Sequence, residues 1–460
     1  MKQQAAGAIG AEVGRSTCTA CPLLCDDILI TTDGVAGACL HGSETICAAI
    51  AGVLQPRSAT GPSPEAWEND SPLARETAIE RSAKRLASAR RVLVTGLGSA
   101  TLEAITAACD LAESLGAAVD AGLPESSRVA GPTIARAGEV TAVWEELRDR
   151  ADLVLFWGCD PAPSHPRFIE RFIAPSLSDG RHRRTIAVGP HSVLPDATTH
   201  HHLPLPHGLA VEAARALQML TLGRPDILSG TPVAAVCTTL HDAIQAANCV
   251  AIVTSDGDDP IGLEAWSIVH LVRTIAHMKP AFQIPLGAGL AAGGVNVAGA
   301  AAVCTWRYGA AGGIATADPA GSLFLPAESN ARRLIDRGEV DAVLVLGRLA
   351  DPLEQSIADR GARLSVVRIC DAPEPLLQRA GDSFQLRCAC MSLCTTGTML
   401  REDGRRVVLT PSMPAGGFGQ PAGMHSMRDT LIALTNAVRH AIASPASQAS
   451  PTSRFTGGRP

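Results

Sequence analysis

Apolar residues in this chain fall in short consecutive runs rather than in alternation. They include VLVT after Arg91, LVLFW after Asp152, IAV after Thr185, VAIVTS after Cys249, AVLVL after Asp341 and SVVRIC after Leu364. A strand with one wet face alternates, whereas a strand that is apolar at successive positions is covered on both faces. The runs therefore predict parallel strands sandwiched between helices. Each ends near a Gly or Pro turn, and the segments 101–115 and 209–222 keep the helical spacing that crossover connections require. The fold class read from this pattern is α/β.

Breaks in the pattern set the organisation. QPRSATGPSP from Gln55 closes an N-terminal lobe, GLPESSRVAGPT from Gly122 separates two α/β blocks, and the stretch after about Ser444 is polar and rich in Pro, Ser and Gly, which predicts a disordered tail. With 460 residues the chain exceeds one ordinary core, so two or three domains are expected. Only 3% of residues are aromatic while 43 are Gly and 31 are Pro, which suits an Ala/Val/Leu core with many tight connections. The net charge of −6 and the lack of a basic block exclude a general nucleic-acid binder. The apolar stretch from Ile284 to Val303 is interrupted by Pro285, Asn296 and several glycines, so no membrane span is expected. With no secretion signal at the start, the expectation is a soluble cytoplasmic protein with reduced thiols.

The strongest chemical signal is CTACPLLCDDILITTDGVAGAC, which sets Cys18, Cys21, Cys25 and Cys39 in a Cys-x2-Cys-x3-Cys-x13-Cys pattern. A four-iron, four-sulfur cluster takes four thiolates, and a tight loop carrying three of them with a distant fourth fits that need. A structural zinc site usually has two Cys-x2-Cys knuckles and is the competitor, as are four metal-free thiols.

Other motifs are weaker. The turn GLGSAT at Gly96 follows a strand and precedes a helix, the context of a phosphate loop, yet it lacks the third glycine of a dinucleotide fingerprint and reads first as a tight turn. The segment LVLFWGCDPAPSHPRFIER ends a buried strand at Trp157. It projects Gly158, Asp160, Pro161 and His165 at the carboxyl edge of a sheet, where open α/β folds bind ligands. The histidines at 191, 200–202 and 207 lack the spacing of a helical metal pair. Cys388, Cys390 and Cys394 have no evident fourth partner and read as free thiols.

Two of these stretches, CTACPLLCDDI at 18–28 and LVLFWGCDPAPSHPRF at 153–168, together with TGTMLREDGRRVVL at 396–409, resemble the B subunit of formylmethanofuran dehydrogenase, of the bacterial formyltransferase/hydrolase complex type. That family belongs to the molybdopterin oxidoreductase superfamily. The resemblance implies a small iron–sulfur-type lobe at 1–55 and a split α/β domain at 56–120 and 250–385. It also implies an inserted Rossmann-like domain at 121–249 and a C-terminal segment at 386–443 packed on the core, with 444–460 as the tail. The fold expected from the resemblance is one without a C-terminal pterin-binding β-barrel. Gly158, Asp160, Pro161 and His165 would then border a pterin-type cleft, and Cys18, Cys21, Cys25 and Cys39 would hold a [4Fe–4S] cluster.

The chain departs from that family where the redox metal would be bound. Relatives carry Cys or selenocysteine before His-Gly-Pro, and the corresponding segment here places Val129 at the metal-ligand position and Ala130 at the histidine. Valine supplies no thiolate and alanine no proton donor. Gly189-Pro190-His191 and Pro206-His207-Gly208 also stand where relatives carry Arg and Lys for the dinucleotide phosphates. The implied reading is a chain with no catalytic residue of its own and no molybdenum or tungsten pterin. It would serve as the structural B subunit beside an amidohydrolase-like A subunit, a formyltransferase D subunit and a C subunit in formaldehyde-to-formate metabolism linked to tetrahydromethanopterin and methanofuran. The alternatives are an active molybdenum or tungsten dehydrogenase and a cluster-bearing electron-transfer protein.

Overall fold

A computed structural model describes residues 12–31, 34–54, 64–122, 136–190, 201–255, 262–287, 289, 294–317, 321–325, 328–371, 382–412 and 425–444. Val129, Ala130, His191 and the expected disordered tail after Ser444 lie outside the described residues.

The apolar runs form the strands the pattern predicts. Three of them, with His201–Pro204 and Ala281–Leu286 added at the two edges, make a wholly parallel sheet in the order His201–Pro204, Arg184–Gly189, Leu153–Trp157, Val250–Ser255, Ala281–Leu286. A nine-stranded sheet has a parallel centre, with Ala118–Val119, Val92–Thr95, Ala342–Leu346, Ser365–Cys370 and Ser383–Arg387 side by side. Its edges are antiparallel: Ile314–Ala315 and Leu323–Phe324 on one side, Ala66–Glu68 and Ser71–Leu73 on the other. All five residues of Leu153–Trp157 and of Ala342–Leu346 are buried, as two-sided coverage demands.

One expected assignment is corrected. The strand Val250–Ser255 is expected in the split domain with Val92–Thr95, but it lies between Leu153–Trp157 and Ala281–Leu286, so the inserted sheet continues to Leu286. Local chemistry fixes this. The buried Asp152 carboxylate accepts the Cys249 N–H at 2.8 Å and the Asn248 N–H at 3.0 Å, tying the start of one strand to the start of its neighbour. The apolar runs are too alike to reveal their partners.

The predicted crossover helices form at Leu102–Leu115 and Ala210–Thr221, the first capped by Thr101, whose side chain accepts the Ala104 N–H. Helix Met427–Ala443 covers the helices Leu102–Leu115 and Arg75–Ser88 with Leu431, Leu434 and Val438. The N-terminal lobe is a three-stranded antiparallel sheet, Glu12–Ser16, Ile28–Thr31 and Gly34–Ala36, followed by helix Leu40–Leu54. Among the described residues no barrel closes and no helix is long and apolar enough to cross a membrane.

Candidate cofactor cleft and cysteine lobe

Four parallel strands of the larger sheet end at one cleft of about 990 Å³. Its wall takes Ser99–Thr101 after Val92–Thr95, Gly347–Pro352 after Ala342–Leu346, Asp371 after Ser365–Cys370, and Cys388 after Ser383–Arg387. Ligands in open α/β sheets bind at this carboxyl edge. Thr19 and Ala20 of the cysteine loop close another side, so lobe and cleft are contiguous.

Close backbone approaches shape the wall. Gly96 sits at φ +78° with the space for a Cβ filled by the Leu346 carbonyl oxygen, and the loop it starts presses Gly98 against Gly294. The GLGSAT turn is thus packed tightly between strands. Thr398 donates its N–H at 3.0 Å to Glu103 in the first turn of the helix that follows. Burial alone would raise the Glu103 carboxyl, but that bond and its neighbours lower it.

The cleft's described lining carries Glu103, Asp351, Asp371 and Asp429 against Arg348 and Arg428. Glu103, Asp351 and Asp429 stand in the first turns of three helices whose N-termini face the cleft. A helix N-terminus attracts anions, and a carboxylate already placed there satisfies it. A bis(pterin dinucleotide) brings two pyrophosphates. Among the described lining residues four carboxylates outnumber two guanidinium groups, a poor match to that charge.

The cysteine lobe gathers its four thiols. Cys18, Cys21 and Cys25 are buried, the loop is pinched by a 2.8 Å bond from the Cys18 N–H to the Cys25 carbonyl, and Leu24 takes a positive φ of 45° within it. Cys39 accepts the Gly42 N–H, and a Cβ at Gly42 would stand 2.9 Å from the Cys18 sulfur and 3.6 Å from that of Cys39. Burial pushes Cys18 and Cys21 up to about 12 although each accepts a backbone N–H. Cys25 is raised by burial, opposed by Arg171 and Arg167. Among the described residues no three His, Cys, Asp or Glu side chains are arranged to hold a single ion. A four-thiol cradle with N–H donors and adjacent cations has the donor set an iron–sulfur cluster takes.

Gly158, Asp160, Pro161 and His165 are not brought to the cleft. Asp160 caps its own turn by accepting the Ala162 N–H at 2.9 Å. His165 is fully buried, 2.6 Å from Glu402 through Nε2 and 2.9 Å from the Ser164 hydroxyl through Nδ1, and edge-on to Trp144. Ser164 stands behind Gly289, which does line the cleft, so this motif backs the wall from one layer deeper. The sequence reading missed Glu103, Asp351, Asp371 and Asp429. The signal was there: Asp351 and Asp371 follow apolar runs, and the rule applied to Trp157 applies equally to Leu346 and Cys370.

The distal motif also proves structural. Arg401 is buried, bonded to Glu145 at 2.9 Å and Asp403 at 2.7 Å, with its guanidinium 4.8 Å from the Trp144 ring centre. Glu402 accepts the Gly287 N–H at 2.8 Å as well as meeting His165.

These features define an α/β protein built on two largely parallel sheets with a small cysteine lobe. No family model matches the chain. It is 25% identical over 346 residues, 72% of this chain and 76% of the other, to the B subunit of the tungsten-containing formylmethanofuran dehydrogenase 2 of Methanocaldococcus jannaschii. It is 30% identical over 175 residues to the protein of the same name in Methanococcus maripaludis, covering 34% of this chain and 36% of that one. Among solved structures it matches a chain of the formyltransferase/hydrolase complex FhcABCD of Methylorubrum extorquens, crystallised with methylofuran. The TM-score is 0.67 with 21% identity, over 82% of this chain and 100% of that one. The chain is a homologue of the formylmethanofuran dehydrogenase B subunit.

Proposed function

We propose that this chain is the non-redox, structural B subunit of a cytoplasmic formyltransferase/hydrolase complex in methanofuran- and tetrahydromethanopterin-linked one-carbon metabolism. Its partners would be an amidohydrolase-like A subunit, a formyltransferase D subunit and a C subunit. The observation that carries the reading is the carboxylate set in the first turn of each of the three helices facing the cleft, where a pterin dinucleotide would need its phosphates received. Val129 and Ala130 in the sequence agree with it. Cys18, Cys21, Cys25 and Cys39 would hold a [4Fe–4S] cluster, whose chemistry is one-electron transfer. With no pterin metal to exchange electrons with, its part here is to knit the lobe together.

The test is iron, molybdenum and tungsten content of the complex purified without oxygen, together with formate-dependent viologen reduction. Expected are no molybdenum or tungsten and no dye reduction, with formyl hydrolysis intact. Stoichiometric tungsten or molybdenum in this chain would overturn the reading. Iron and acid-labile sulfide decide the cluster separately.

A further inference from the structure

The cysteine loop runs directly into Asp26 and Asp27, and both carboxylates are taken up by one turn of the inserted domain. Arg167 holds Asp27 through two bonds of 2.9 and 2.7 Å, and Arg171 bridges Asp27 at 2.6 Å and Asp26 at 2.8 Å. The two arginines share a helical face, since the Arg171 N–H bonds to the Arg167 carbonyl, and Glu170 steadies Arg167 from the outside at 2.6 Å. Arg171 also reaches the Cys25 thiol. Arg171 thus meets carboxylates on one side and the Cys25 thiol on the other, while Arg167 spans Asp27 and Glu170 with its charge near Cys25, a use of planar multidentate donors that lysine does not reproduce.

We propose that Arg167 and Arg171 are positioning residues that latch the cysteine lobe onto the inserted domain and thereby close the four-thiol cradle. The two cations also offset the charge the cradle acquires when its thiols are ligated, so the closed latch favours loading. The loading half rests on the cluster reading above; the latching half does not.

The experiment compares the full-length chain with Arg171→Gln, Arg171→Lys, Asp26→Asn and the Asp26→Asn/Arg171→Gln double variant. Arg171 is chosen because it is less buried than Arg167, and Arg81→Gln, which removes an exposed pair with Glu68, is the control. In metal-free protein, amide hydrogen exchange over residues 18–29 should quicken at least tenfold in Arg171→Gln. Exchange in Leu153–Trp157 should be unchanged, which separates unlatching from misfolding. The double variant should exchange no faster than Arg171→Gln, and Arg171→Lys should fall between. After anaerobic reconstitution with iron and sulfide, iron per chain should fall several-fold in Arg171→Gln. Unchanged exchange over 18–29, or quickening spread equally through Leu153–Trp157, overturns the proposal. If the parent chain takes up no iron while exchange responds as expected, the cluster reading fails and the latch stands.

Discussion

Replacing Arg401 by Met removes the centre of the cluster that joins the distal motif to the inserted domain. Asp403, whose side chain is 2% exposed, is then left as a buried carboxylate with only the Trp144 N–H at 2.7 Å and its own turn for company. Breaking one side of a buried pair costs about 3–5 kcal/mol. Two features reduce this: Glu145 keeps solvent contact and Arg405, and a methionine sulfur still packs on Trp144 in place of the cation. We therefore expect a loss of about 3 kcal/mol. A chain of this size need not unfold in one step, so the assay follows urea unfolding by the fluorine resonance of 5-fluorotryptophan at Trp144. In the double-mutant cycle with Asp403→Asn, the second change should restore about 1–3 kcal/mol. A loss under about 0.5 kcal/mol, or strictly additive effects, would refute the claim that this pair anchors the motif.

Other expectations follow from the same geometry. Burial alone would raise the Glu145 carboxyl, but Arg401 and Arg405 hold it at about 2 against an ordinary 4.5, so its stabilisation is full above about 4.5 and is lost as pH falls toward 2. After allowance for its exposure this amounts to about 1–2 kcal/mol, and acid titration of Arg401→Met should show a correspondingly shallower decline between those pH values. Gly42→Ala, which in a free helix would gain about 0.5–1 kcal/mol, should instead loosen the cysteine lobe, because the added Cβ lies 2.9 Å from the Cys18 sulfur; calorimetry showing a gain would contradict the packing. His165→Leu should cost about 1–3 kcal/mol through the stranded Glu402 while formyl hydrolysis per folded complex is kept, and lost turnover at full stability would return His165 to the cleft.

Much of the architecture was legible because two-sided burial writes itself as consecutive apolar residues. Both parallel sheets and the crossover helices could be read from it. Which strand neighbours which was not, since VAIVTS and VLVT are interchangeable by composition, and the bond from Asp152 to Cys249 that decides the matter spans 97 positions. The cradle was legible in its cysteine spacing. The role of the histidine motif was not: a His in a Pro-rich loop after a strand looks the same whether it faces a ligand or meets Glu402, which lies 237 positions away. The carboxylates of the cleft escaped notice for a similar reason. Each is an ordinary acidic helix start, and only the convergence of three such starts gives them meaning.

The hairpin of Gly397–Leu400 and Arg406–Leu409 touches every unit of the protein within a few residues. Thr398 and Leu400 bond to Glu103 and Asn296, Arg401 to Asp403 meet the inserted sheet's surroundings, and Met399, Val407 and Leu409 pack on Leu24 beside the cysteines. Two α/β domains joined only by their crossing strands would be free to hinge about the gap between them, as ligand-closing folds do. Here a single short ribbon is riveted to both sides and to the lobe. Opening the gap between the domains would have to break these contacts, so the ribbon opposes hinge motion at the aperture.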